Sequence, residues 1–227
     1  MRTLLAIAAA LFLSSASFIA SGQTPANPAR IFRSAEVVTA SGVQIPFNSV
    51  ANGIVELHLT ISEAGNIEEA IVVRSVASVT KEAVRAVKTW KFAPATTRGK
   101  PIESQLTVFV VFCPLAIPTP DLPLTMIAGD AIPVAGILPS VSPEVTEAKY
   151  PPDGIARTVG GTVVLRVLVG ADGQPGLVRV VKDAPSMTDS ARIAVSGWKF
   201  SPAQVNGKAA ISGVVVAFAF RNPIATN

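Results

Sequence analysis

Residues 161–220 read GTVVLRVLVGADGQPGLVRVVKDAPSMTDSARIAVSGWKFSPAQVNGKAAISGVVVAFAF, and residues 53–112 read GIVELHLTISEAGNIEEAIVVRSVASVTKEAVRAVKTWKFAPATTRGKPIESQLTVFVVF. The two align without a gap: Trp198 lies 108 residues after Trp90, and Gly207 lies 108 after Gly99. Roughly a third of the aligned positions are identical, a register that chance does not hold over such a length, so the chain carries a duplicated module. Two copies are too few for a solenoid, so each must be a small domain or half of a two-lobed one.

Each copy follows one pattern. Val55, Leu57, Leu59 and Ile61 alternate with Glu56, His58, Thr60 and Ser62, which predicts a strand with one face on a core. A turn follows at Ala64-Gly65-Asn66, with Asp172-Gly173 at the same place in copy two. A second strand is expected over Ile67 to Arg74 and over Gly176 to Lys182. The period then becomes helical through Val79, Ala83, Ala86, Val87 and Trp90, and through Met187, Ala191, Ala194, Val195 and Trp198. Ser78 or Thr80, and Ser186 or Thr188, are candidate caps for the helix start. Pro94 and Pro202 forbid its continuation, and Gly99-Lys100 and Gly207-Lys208 turn into a last strand, Gln105 to Phe112 or Gly213 to Phe220. The expected fold class is α+β: two tandem ββαβ modules, each an antiparallel sheet of about three strands with one packed helix and a core tryptophan.

The last strand departs from alternation. Phe109 and Val111 are apolar as well as Leu106, Val108, Val110 and Phe112, and VVVAFAF in copy two is apolar on both faces. Such a strand is either central and covered twice, or an edge that expects a partner. Its second face must meet the other copy, another chain or a bound segment.

Outside the modules, residues 1–22 have a positive Arg2, an apolar core from Leu4 to Leu13 and a small-residue site at Ala20-Ser21-Gly22. This is the form of a secretory signal peptide, placing the mature chain in the periplasm. An uncleaved inner-membrane anchor facing the periplasm is the alternative, although serines interrupt the apolar run well short of a spanning length. Residues 23–44 are a leader, residues 45–112 the first domain and residues 113–149 a proline-rich connector. Residues 150–222 are the second domain and residues 223–227 a tail. The connector is too apolar for a solvated spacer and is expected to lie extended along the domains.

Residue chemistry excludes much. The formal net charge is +4, falling by one if Arg2 is removed, and no Lys/Arg run accompanies it, so nucleic-acid binding has no support. One His and one Cys in the whole chain leave no zinc or copper site. Cys113 has no intramolecular partner and is expected to be half-buried. His58 is expected as a solvated residue on the polar side of its strand, and copy two replaces it with Arg166, so no His-based catalytic group repeats. No phosphate-cradling glycine loop opens a helix, and no cofactor is implied. The chain reads as a non-enzyme.

A Tyr-Pro start, Gly-Thr-Val-Val-Leu, Asp-Gly in the hairpin, Trp-Lys-Phe-x-Pro-Ala, Asn-Gly-Lys and a Val/Phe-rich last strand together resemble the TonB C-terminal domain. Copy two resembles it in full, and copy one from its first strand onward. The resemblance implies a periplasmic protein-interaction module that pairs with an extended segment of an outer-membrane receptor by strand addition and transmits energy for transport. Mapped onto this sequence, the implied partner-binding residues are Tyr150, Pro151, Val214, Val215, Val216, Ala217, Phe218, Ala219 and Phe220. Lys149 stands where the family has Gln, Leu4 to Leu13 holds no polar motor-contacting residue, and the leader is short for crossing the periplasm. Two function classes therefore stand: an adaptor binding envelope or outer-membrane proteins, or a structural envelope protein whose copies pair with each other or homodimerise.

Overall fold

The computed structural model describes residues 32–46, 49, 52–113, 136–144, 148 and 160–221. The signal-like segment, residues 114–135 of the connector, Tyr150-Pro151 and the tail lie outside the described residues. The fold is mixed α+β, rich in strands, with two helices among the described residues.

In copy one, β3 (Gly53–Ile61) and β4 (Ile67–Arg74) form a hairpin, followed by helix α1 (Thr80–Val87). Short strands β5 (Lys91–Ala93), β6 (Ala95–Thr97) and β7 (Lys100–Ile102) lead into the long β8 (Ser104–Cys113). Copy two repeats the order with β11 (Gly161–Val169), β12 (Pro175–Lys182), α2 (Thr188–Ser196), β13 (Lys199–Ser201), β14 (Ala203–Val205), β15 (Lys208–Ala210) and β16 (Ser212–Phe220). The helices end before their tryptophans, because Trp90 and Trp198 hand the chain directly to β5 and β13. Each ring is nearly buried, at 3% and 2% exposed. Removing a side chain of that size from water is worth roughly 4–6 kcal/mol before entropy.

The expected caps act differently. Neither helix has a side-chain bond at its N-cap. Thr80 Oγ1 instead reaches backward, accepting from Val76 N at 2.8 Å and donating to Val76 O at 2.9 Å, and Thr188 treats Ala184 alike at 3.2 Å. The threonines thus fasten the turn that enters the helix, whose Thr80 and Thr188 amides donate to the carbonyls of Val76 and Ala184.

The three long strands of each copy do not make separate sheets. They join into one six-stranded sheet in the order β12-β11-β16-β8-β3-β4. The junction is parallel pairing of the two last strands, from Val215 opposite Val108 to Phe220 opposite Cys113. Parallel pairing of equivalent strands implies a pseudo-twofold axis along the strand direction. That rotation exchanges the faces of the sheet, so α1 and α2 lie on opposite faces. It also makes residues 108 apart point to opposite sides. The pair must therefore be staggered by one residue, and Val108 faces Val215, not Val216.

The stagger builds two cores. Leu106, Val108, Val110 and Phe112 pack with Val215, Ala217 and Ala219 on the α1 side. Phe109, Val111 and Cys113 pack with Val214, Val216, Phe218 and Phe220 on the α2 side. Phe109 of copy one stands edge-on to Trp198 of copy two, centroids 5.6 Å apart at 86°. The doubly apolar strands are central and covered twice, and Cys113 is 2% exposed, not half-buried.

The leader and connector belong to the fold. In the leader, β1 (Phe32–Arg33) pairs with β6 and β2 (Glu36–Thr39) with β5. In the connector, β9 (Ile137–Leu138) pairs with β14 and β10 (Val141–Glu144) with β13. Phe32 meets Thr97 as Ile137 meets Val205, so these arms are themselves a repeat, offset by three residues less than the modules. The first arm crosses onto copy two. Gly213 N donates to Ser34 Oγ at 2.8 Å, Glu36 ion-pairs with Arg166, and Val43 N donates to Thr162 Oγ1 at 2.9 Å. A Cβ on Gly213 would stand 3.3 Å from Ser34 Oγ, so the glycine keeps this approach unobstructed.

Candidate partner-binding edges

The strand expected to receive a partner is the middle of the sheet. Val214 to Phe220 are 0–3% exposed, paired with β11 along one edge and β8 along the other. A segment can be added there only if β8 leaves, which would open both cores. Strand addition at Val214, Val215, Val216, Ala217, Phe218, Ala219 and Phe220 is thus closed in this arrangement, because the duplicate occupies the place of a partner. Tyr150 and Pro151 lie outside the described residues.

His58 also differs from expectation. It is 5% exposed, and its Nε2 lies 3.1 Å from Oε1 of Glu56, itself 3% exposed. Every residue of β3 from Ile54 to Ile61 is buried, since the sheet face opposite α1 is covered too. Alternation along the strand therefore marks polarity but not solvent. Among the described residues no group of three or more His, Cys, Asp and Glu gathers to hold a metal.

Among the described residues two edges of the six-stranded sheet remain, β4 and β12. Both are bulged against their neighbours near the hairpin, between Thr60 and Ile61 on one side and Val167 and Val169 on the other. Bulges interrupt the regular row of donors and acceptors that lets edges stack indiscriminately. The edges differ in charge. β4 carries Glu68 and Glu69, and Glu103 lies against Glu68. The Glu103 carboxyl is pushed above its ordinary value by a shared hydrogen bond with Glu68, then by burial and by that neighbour's like charge. β12 carries Arg179 and Lys182 and no carboxylate, and of the two only Lys182 has a cationic counterpart on β4, Arg74.

Beside β12 runs an open groove of ≈ 420 Å³, lined by Gly176, Leu177, Val178, Arg192, Ile193 and Ser196. Side chains of consecutive strand residues alternate between faces. A groove lined by three consecutive residues therefore follows the strand's outer margin, with α2 as its far wall. Leu177 is 66% exposed and Ile193 72%.

The family model described as Gram-negative bacterial TonB protein C-terminal matches residues 49–113 and 146–221. The chain belongs to this family. Both matches of the TonB C-terminal model fall on the duplicated halves, and the second reaches back over Tyr150-Pro151. TonB C-terminal domains are non-catalytic interaction modules of the Gram-negative periplasm and envelope, with a role in transport. No curated protein matches the chain. No helix among the described residues is long and apolar enough to cross a membrane.

Sequence reasoning nominated the last strand, which lies in the middle of the sheet, and did not single out the edges left open among the described residues, β4 and β12. A signal was present in the alignment. Ile193 stands on the outer helix face where copy one has Arg85, and Leu177 stands where copy one has Glu69. Two positions charged in copy one are apolar in copy two.

Proposed function

We propose that this chain is a periplasmic TonB-like adaptor that binds extended segments of envelope or outer-membrane proteins by strand addition and supports energy-coupled transport. The observation that carries it is TonB C-terminal family membership across both halves, joined to a sheet with two edge strands unpaired among the described residues. Export by cleavage of residues 1–22 belongs to the proposal, as do module boundaries at 45–112 and 150–222. The test is capture of synthetic receptor-derived peptides of the family's extended type by the full chain. Binding by folded protein supports the reading. Failure of every such peptide to bind overturns it.

A second reading has the β8–β16 pairing in its favour. If that pairing is the purpose of the duplication, the chain is a structural envelope protein without receptor coupling. Peptide capture separates the two, since this reading requires none.

A further inference from the structure

We infer that the outer margin of β12, together with α2, is a docking groove for a short extended protein segment carrying an apolar side chain next to a carboxylate. The inference rests on the reading of the chain as a binder of extended segments, and it assigns the place and the chemistry.

Copy one serves as an internal control. At the positions corresponding to Leu177, Arg192, Ile193 and Ser196 it has Glu69, Val84, Arg85 and Lys88. There Arg85 is engaged by Glu82 at 2.8 Å, and Glu68 and Glu69 line the edge. Three of these four positions are charged, and the apolar exposure of that edge lies instead at Ile71 and Val72, 42% and 39% exposed. In copy two the groove is lined by the exposed Leu177 of the strand and the exposed Ile193 of α2, which leaves apolar area for a ligand to cover. The strand beside it offers unpaired backbone donors and acceptors along its outer edge, the main source of affinity in strand addition. The bulge at Gly176-Leu177 limits the regular stretch, so a short segment fits better than a second sheet.

Charge selects the ligand further. Arg192 of α2 lines the groove, and Arg179 lies on β12 just beyond it. A carboxylate on the incoming segment meets cations here, whereas at the β4 edge it meets Glu68 and Glu69. The β4 edge carries two carboxylates and one cation, Arg74, where β12 carries two cations and no carboxylate, so an acidic-apolar segment is directed to β12.

The test uses the isotopically labelled full chain and an acetylated peptide alternating valine and threonine with one terminal glutamate. A lysine-ended version is the control. Saturable shifts of the amide signals of Gly176 to Val180 and of the α2 outer face, with the glutamate peptide preferred, are expected. Arg192→Glu should weaken binding about tenfold and reverse the preference, as attraction becomes repulsion at an exposed site. Ile193→Arg, which restores the copy-one residue type, should weaken it by a similar factor. Both side chains are on the outside of α2, and wild-type mapping does not depend on either variant folding. Shifts confined to β4, or binding indifferent to both substitutions, overturn the groove while leaving extended-segment binding intact. No shift with either peptide at millimolar concentration overturns the groove and the strand-addition reading together.

Discussion

At the scale of single residues, position in the tertiary structure separates look-alikes. Gly173 and Gly207 both have positive φ, 80° and 75°. Around Gly207 an added Cβ meets nothing within 4 Å, whereas at Gly173 it collides with the carbonyl oxygen of Phe200. Gly207→Ala should therefore cost about 1 kcal/mol, the left-handed penalty alone. Gly173→Ala should cost clearly more, measured by urea denaturation. Equal losses would show that the hairpin yields freely. The tryptophans differ likewise: Trp90 Nε1 is buried and finds no acceptor among the described residues, so its N–H is already a cost of about 1–3 kcal/mol. Trp90→Phe removes that cost with the ring and should destabilise less than Trp198→Phe.

At the scale of elements, the first arm is a strap across copy two. Glu36 sits between Arg33 at 3.7 Å and Arg166, and the Glu36 and Arg166 side chains are 23% and 17% exposed. This pair is neither fully solvated nor fully buried. Arg166→Ala should cost about 1–2 kcal/mol, between the exposed and buried limits. A double-mutant cycle with Glu36→Ala should return a coupling near 1 kcal/mol. A coupling near zero would mean that backbone pairing of β1 and β2 alone holds the strap. Arm two has Val141 where arm one has Glu36, by the shared pairing with β13 and β5, so the copies are fastened by different chemistry.

Across the whole molecule, the two halves share their cores. Phe109 belongs to copy one but packs on Trp198, and Val215, Ala217 and Ala219 belong to copy two but pack on the α1 side. Phe109→Ala should cost about 3–5 kcal/mol, and native-state hydrogen exchange should report faster opening in α2 as well as β8. Loss confined to copy one would contradict a shared core. For the same reason, urea unfolding followed by fluorescence and by circular dichroism should give coincident transitions. Two separated transitions would show that the halves unfold independently.

The sequence by itself determined the duplication, the helix and hairpin of each copy, the family and the tryptophan cores, because all of these rest on local periodicity, turn chemistry and spacing within one copy. It also stated the question correctly: a strand apolar on both faces must be covered twice. Only the tertiary structure decided what covers it. Parallel pairing with a one-residue stagger depends on contacts between residues 107 apart in the chain, Val108 and Val215, and no local pattern encodes that choice. The strand pairing of the arms escaped notice for a related reason. They are held by strands of two to four residues and a few cross-copy bonds, too short to impose a period. His58 was misplaced because alternation reports which face is polar, while burial depends on what lies above that face. Once the last strands are spent on each other, the open edges are the second strands, β4 and β12, and the surface available to a partner follows from the topology of the sheet.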